Sequence, residues 1–114
     1  MKLFIKALVF LLLFNSHSSF SGDWLSKQKI STVSFETGGF YLYSKEPWNN
    51  ANNCSHTDAI VLQSNDANYD KAYSLLLMAF AAGKSVQGYS DGCVTHDGRT
   101  YNSIRGSKYL LVTD

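Results

Sequence analysis

One segment of the chain, residues 69–82, constrains the fold most, because it is too apolar for an ordinary surface helix. Its polar side chains, Asp70, Lys71 and Ser74, all lie in the first half, and from Leu75 onward the segment is apolar all round. A surface helix normally has one apolar stripe and one polar face. We therefore expect one side of this helix to cover a sheet and the other side to contact a second molecule, most simply another copy of the chain.

The first 21 residues have the pattern of a secretory signal peptide. A basic start over residues 1–6 precedes an unbroken apolar run over 7–14, and small polar residues dominate the stretch 16–22. This is the order of the three signal-peptide regions, and the serines on either side of position 20 fit the cleavage rule. The apolar run is much shorter than the roughly 20 residues that span a bilayer. We predict a mature domain over 22–114, secreted via the periplasm, with a retained membrane anchor as the alternative.

The charge of the predicted mature domain is balanced. Removing Lys2 and Lys6 with the signal peptide leaves eight of the ten basic residues against nine acidic ones. A protein that binds nucleic acid by neutralising phosphates needs a basic face. We therefore expect no nucleic-acid partner.

Two cysteines, Cys54 and Cys93, fall in the mature domain. In an exported chain two cysteines are expected to form a disulfide. The closed loop would hold about 40 residues and stabilise the fold by roughly 4 kcal/mol in the chain-entropy model. The alternative is a zinc site that also uses His56 and His96. No motif supports that alternative, and we expect no metal and no other cofactor.

The strand and turn signals predict a mainly β fold with one helix. β-Branched and aromatic runs are typical of strands, and Gly38-Gly39 and Asp97-Gly98 indicate turns. A helix between the third and fourth of five strands is the order of the five-stranded OB-fold barrel, although other α+β arrangements share it. The predicted strands are 30–35, 40–43, 59–63 and 85–90, and the segment 103–112 contains the last strand, with 109–112 as its strongest part.

Catalysis and binding both have candidate residues. A small secreted hydrolase or ribonuclease could use Glu36 and His96 for acid–base chemistry, but their spacing does not support a pair, and the chain has no motif of a known catalytic class. Carbohydrate binding has more candidate residues, because aromatic rings stack on sugars and planar amides form hydrogen bonds with sugar hydroxyls. A monomeric periplasmic inhibitor or adhesin-like module is a third hypothesis. The aromatic and amide residues include Trp24, Tyr41, Tyr43, Trp48, Asn49, Asn50, Tyr89, Tyr101 and Asn102.

Three stretches carry a resemblance to a known family. Residues 24–30 are similar to the start of the family's first strand, 81–89 to the end of its long helix with the following strand, and 92–93 to its cysteine after that strand. In these stretches the chain resembles the B subunits of the pertussis-like and subtilase-type one-A-five-B toxins, which include those of typhoid toxin. The resemblance covers nearly the whole mature domain.

The resemblance implies a non-enzymatic OB-fold subunit in a homopentamer. The helices would line a central pore into which an enzymatic A subunit inserts its tail. The outer surface would bind sialylated or related glycans on host cells. Each site alone would bind weakly, and several on one face would add avidity.

The resemblance also implies the residues of the glycan site. By position, Ser26 matches a serine that contacts sialic acid, and Tyr89 matches an aromatic residue of the same pocket. Gln87 occupies a neighbouring position that is often Arg, and Trp24 falls where some relatives have Tyr. Two further candidates lie near the loop that closes the pocket in the family, namely Tyr43 and Lys45.

Overall fold

A computed structural model describes residues 22–114, so the predicted signal peptide lies outside the described residues. Within this range the chain is mainly β with one helix, which confirms the predicted class. In chain order the elements are β1 (Asp23–Trp24), β2 (Gln28–Lys29), β3 (Thr32–Glu36), β4 (Gly39–Tyr43), β5 (His56–Gln63), α1 (Tyr69–Ala81), β6 (Ser85–Gln87), β7 (Tyr89–Ser90), β8 (Cys93–His96), β9 (Arg99–Ile104) and β10 (Leu111–Thr113).

The described strands form three sheets rather than one closed barrel. The largest has the order β3-β4-β5-β9-β8, in which only the β5–β9 pair is parallel. A three-stranded sheet has the order β10-β6-β2, and β1 pairs with β7. The predicted strand 85–90 is divided at Gly88 into β6 and β7, which pair in different sheets. A side chain at Gly88 would come within 2.5 Å of Ile104, so this break packs against the large sheet.

The central strands of the large sheet are buried on both faces. Because side chains alternate along a strand, Phe40 and Leu42 point to one face and Tyr41 to the other. The first face belongs to the main core, which also contains buried residues of α1, β6 and the segments 25–30 and 48. The second face belongs to a smaller core around Tyr41, Val61 and Tyr101. The fold thus presents two distinct environments on one sheet.

The helix covers the main core with one side only. Ala72, Leu76 and Ala79 are its buried residues. Gly83 follows the helix with φ +67°, and the amides of Gly83 and Lys84 donate to the carbonyls of Phe80 and Ala79, at 3.2 and 2.9 Å. This is a Schellman ending, for which glycine is favoured. No helix of the described residues is long and apolar enough to cross a membrane.

The helix leaves an apolar surface on its other side. Leu77, Met78 and Phe80 are 38%, 48% and 37% exposed, and Leu111 of the nearby edge strand β10 is also exposed. We call these four residues the apolar patch. Met78 and Leu111 line one cleft, and exposed apolar side chains that lie together often mark an interaction site. The excess apolar face expected from residues 69–82 is therefore present on the folded chain.

Cys54 and Cys93 form a disulfide, as predicted. The bond is consistent with an extracytoplasmic protein, and its sulfurs are no longer available as zinc ligands. Beside it, the buried amide of Asn102 donates to Asn50 at 3.1 Å, and Asn52 donates to Ser90 at 2.7 Å. These bonds satisfy the polar groups that the loop after Trp48 brings into the interior.

Candidate functional site

The pairing of β1 with β7 creates an aromatic surface. Trp24 lies opposite Tyr89 in the ladder, and their ring centroids are 6.4 Å apart with perpendicular planes. The amide of Leu25 donates to the carbonyl of Gly88 at 2.8 Å and continues this contact toward β2. Trp24 is 38% exposed, so its ring is supported by the fold and still reaches solvent. Exposed aromatic rings of this kind are common anchors of binding sites.

The segment before β10 adds a third ring and a cation. Tyr109 is 61% exposed, and its ring centroid lies 5.3 Å from that of Trp24. Its φ is +54°, a left-handed conformation that is costly for a bulky residue. The ammonium of Lys108 lies 4.4 Å from the centroid of the Tyr89 ring, within the range of a cation–π contact. Strained exposed residues of this kind are concentrated at binding sites.

Ser26 is held beside these rings by Asn49. The Ser26 amide donates to the Asn49 side-chain carbonyl, and the Asn49 amide donates back to Ser26 Oγ at 3.4 Å. Asn49 Nδ2 also donates to the carbonyl of Trp24 at 2.9 Å. Gln28 Nε2 donates to Ser26 Oγ at 3.3 Å. Ser26 therefore sits in a network of amides that fixes its position next to Trp24.

Gln87 joins the same surface from β6. Its side-chain amide donates to the carbonyl of Leu25 at 3.3 Å, and the side chain is half-buried. Four of the six predicted glycan-binding residues therefore lie on neighbouring segments: Trp24 pairs with Tyr89, Ser26 follows Trp24 and Leu25, and Gln87 bonds to Leu25. Together with Asn49, Lys108 and Tyr109 they form what we call the aromatic site.

Tyr43 lies in a different place. Its ring belongs to the smaller core, and its hydroxyl donates to Glu36 Oε2 at 2.6 Å. Lys45, the other candidate from the same loop, lines a separate open cleft together with Lys27 and Gln28. Alternation along β4 sends Tyr43 to the face opposite Leu42. The structure does not bring Tyr43 to the aromatic site, and it brings Lys45 only to the neighbouring cleft.

The residues of the alternative enzyme hypothesis do meet. His96 Nε2 lies 3.2 Å from Glu36 Oε1, across the ends of β8 and β3. Glu36 Oε2 accepts hydrogen bonds from Ser34 and Tyr43, both at 2.6 Å. The ring of Tyr41 packs against His96 with centroids 5.4 Å apart. This polar group joins the two edge strands of the large sheet at one end.

The electrostatics of this group favour a fixed carboxylate. Burial raises the pKa of Glu36, but the hydrogen bonds from Ser34 and Tyr43 and the nearby His96 outweigh burial, so that its pKa is lowered overall. Burial, followed by the hydrogen bond to Glu36, raises the pKa of Tyr43. A general base works best with a pKa near the working pH. Glu36 is shifted away from that range, and both its oxygens already have partners.

Sequence reasoning missed Asn49 as a partner of Ser26, and it missed Lys108 and Tyr109 altogether. Asn49 was a candidate only by composition, and Tyr109 was predicted to lie inside a strand. No local signal marks a tyrosine for the left-handed region, where Gly and Asn are the usual residues. Comparison of the chain with protein-family models, curated proteins and solved structures finds no match.

Proposed function

We propose that this chain is a secreted, non-enzymatic subunit that binds glycans on host cells. The observation that carries the proposal is the aromatic site, in which three contacting aromatic rings adjoin a serine hydroxyl and two amide side chains. Aromatic faces cover the apolar faces of sugar rings, and hydroxyl and amide groups match sugar hydroxyls. Sites with this mixture of apolar walls and few placed polar groups are typical for small ligands.

Sialylated glycans are the ligand that the resemblance to toxin B subunits supports. Lys108 is the one cation within the aromatic site, and it lies over the ring of Tyr89. An ammonium at this position can meet a sugar carboxylate at the edge of the aromatic surface. This compensates in part for Gln87, which carries no charge at a position that is often Arg in the family.

A homopentamer that carries an enzymatic A subunit is the second part of the proposal. The apolar patch supports it, because Leu77, Met78, Phe80 and Leu111 are exposed in a single copy. Burying such side chains against another copy removes apolar area from water and favours association. The family's arrangement, in which helices surround a pore, uses this helix in the same way.

An OB-fold plan is proposed for the subunit. When the five strands of the large sheet are numbered along the chain, their spatial order is 1-2-3-5-4. The helix α1 lies between the third and the fourth of these strands in the chain. The contact between Glu36 Oε1 and His96 Nε2, at 3.2 Å, joins the two edge strands of the sheet, β3 and β8, at one end. A partly open barrel of five strands with one helix would have these features. Export through the periplasm with removal of residues 1–21 completes the proposal.

The glycan-binding part is tested on an array of sialylated and neutral glycans. Trp24→Ala should lower binding at least tenfold, because central aromatic anchors often contribute about 2 kcal/mol or more. Phe35→Ala is the matched control, since Phe35 is an exposed aromatic that contacts Phe40 and Tyr73 away from the aromatic site. Equal binding by the wild type and both variants would show that the aromatic site does not hold the glycan.

The assembly part is tested by light scattering on the secreted chain. A mass of five copies is expected at micromolar concentration, and a single-copy mass would rule out the ring. Hydrolysis of RNA or ester substrates that disappears in His96→Ala would instead revive the enzyme hypothesis. The two measurements are independent, so glycan binding by a monomer would retain the first half of the proposal alone.

A further inference from the structure

A cleft lined by several lysines lies beside the aromatic site. It is an open cleft of about 470 Å³ whose lining includes Lys27, Lys29 and Lys45, with Glu46 as its only acidic residue. We call it the lysine cleft. Its volume falls in the range of small-molecule sites. The lining also includes the polar residues Gln28 and Ser31.

The charge of the lysine cleft is only partly compensated, because Glu46 is the single acidic residue among its lining residues. Its three lysines are among only eight basic residues in the range 22–114. In the described residues none of the three has a carboxylate within 4.0 Å, whereas Lys84 pairs with Asp114 and Arg105 with Asp91. Like charges gathered in one concavity repel each other and raise the local potential. An anion seated there would relieve that repulsion, which a neutral ligand would not do.

The lysine cleft is connected to the aromatic site through Gln28. Gln28 lines the cleft, and its side-chain amide donates both to Ser26 Oγ at 3.3 Å and to the carbonyl of Pro47 at 3.4 Å. Lys27 directly follows Ser26 in the chain. A glycan that contacts Trp24 and Ser26 therefore has the lysine cleft as its next neighbour along the surface.

We propose that the lysine cleft is an anion subsite that selects glycans bearing sulfate groups, or several acidic groups, next to the sugar held by the aromatic site. The inference rests on the proposed carbohydrate-binding function and adds the class of ligand. Lysine ammonium groups act as mobile point charges that suit tetrahedral oxyanions, which need no flat bidentate partner. Three lysines along one cleft, against a single carboxylate residue, suit a ligand with more than one negative charge.

The test compares a heparin-derived octasaccharide with its desulfated, N-acetylated counterpart by titration calorimetry. The wild type should bind the sulfated form at least tenfold more tightly, and the preference should weaken as salt is raised. Lys45→Gln should lower affinity for the sulfated form about two- to fivefold, the range expected for one exposed ion pair. Lys71→Gln removes the same charge from an exposed helix position and should change nothing.

Three results would overturn the inference. The first is that neither saccharide binds, or that both bind equally. The second is that Lys45→Gln and Lys71→Gln lose the same affinity, and the third is tighter binding to phosphatidylserine vesicles or RNA than to the sulfated saccharide. Trp24→Ala separates this inference from the proposed function. If Trp24→Ala binds both saccharides like the wild type while Lys45→Gln shows the expected two- to fivefold weaker binding of the sulfated form, the aromatic site is wrong and the lysine cleft stands. If only Trp24→Ala loses binding, the aromatic site stands and the lysine cleft is wrong.

Discussion

Removing the disulfide between Cys54 and Cys93 should destabilise this domain more than any single surface change. The bond joins residues 39 positions apart in the chain. For a loop of this length the chain-entropy relation gives about 4 kcal/mol at 25 °C, because the cross-link restricts the unfolded chain. Domains of this size have total stabilities of about 5–15 kcal/mol. The bond thus accounts for between a quarter and most of the free energy of unfolding.

The measurement is urea unfolding of the wild type and of a Cys54→Ala/Cys93→Ala double variant, followed by tryptophan fluorescence. The free energy of unfolding should fall by about 4 kcal/mol, and the melting temperature by roughly 20 °C. Reductant is the control. It should bring the wild type to the stability of the double variant and leave the double variant unchanged.

A loss below about 1 kcal/mol would refute this reasoning, since it is far under the chain-entropy value. It would mean that the loop before Cys54 is fixed mainly by its hydrogen bonds. Asn50 accepts from the Cys54 amide at 2.7 Å, and Asn52 donates to Ser90 at 2.7 Å. These bonds act only in the folded state, whereas the disulfide acts on the unfolded chain. The two contributions are therefore separable by this experiment.

Three further changes have defined outcomes. Tyr109→Gly should leave urea stability within about 1 kcal/mol, because relief of the left-handed φ offsets the lost ring contact, while glycan affinity measured by titration falls at least tenfold. Glu36→Gln should cost about 1 kcal/mol at pH 7. Because the pKa of Glu36 is lowered in the folded state, the carboxylate stabilises the fold above the ordinary carboxyl pKa, and this stability is lost as the pH falls through the folded pKa. The free energies of unfolding of the wild type and Glu36→Gln in urea should therefore converge as the pH is lowered. Phe80→Glu should reduce an oligomeric mass in light scattering to that of a monomer, whereas Ser74→Glu on the same helix should not.

The local features of the fold follow well from the sequence. The helix was predicted over 69–82 and spans Tyr69–Ala81, with Gly83 as its terminator. The strands at 40–43 and 59–63 lie within β4 and β5. These elements depend on apolar periodicity, β-branched residues and glycine, which act over a few neighbouring residues. Their type is therefore encoded locally even where their bounds shift.

The sheet partners do not follow from local pattern. The segment 103–112, predicted to contain the last strand, holds the end of β9 at Ile104 and the start of β10 at Leu111, and the predicted strongest part begins too early because Tyr109 is left-handed. The register of Trp24 against Tyr89 joins positions far apart in the chain. Such pairings depend on tertiary packing, which overrides propensity for short strands. The same reason explains why Tyr43 was grouped with a site from which its side chain points away.

The aromatic site is assembled from segments that local preference alone would not hold together. Trp24 and Ser26 come from the start of the domain, Asn49 from the loop before the disulfide, Tyr89 from β7 and Tyr109 from the segment before β10. Strand pairing positions Trp24 and Tyr89, hydrogen bonds from Asn49 position Ser26, and a ring contact with Trp24 positions Tyr109. Fixing these groups before binding lowers the entropy lost when a ligand orders them. The disulfide at Cys54 also anchors the end of the loop that contains Asn49, so it restrains a segment that bonds to both Ser26 and Trp24.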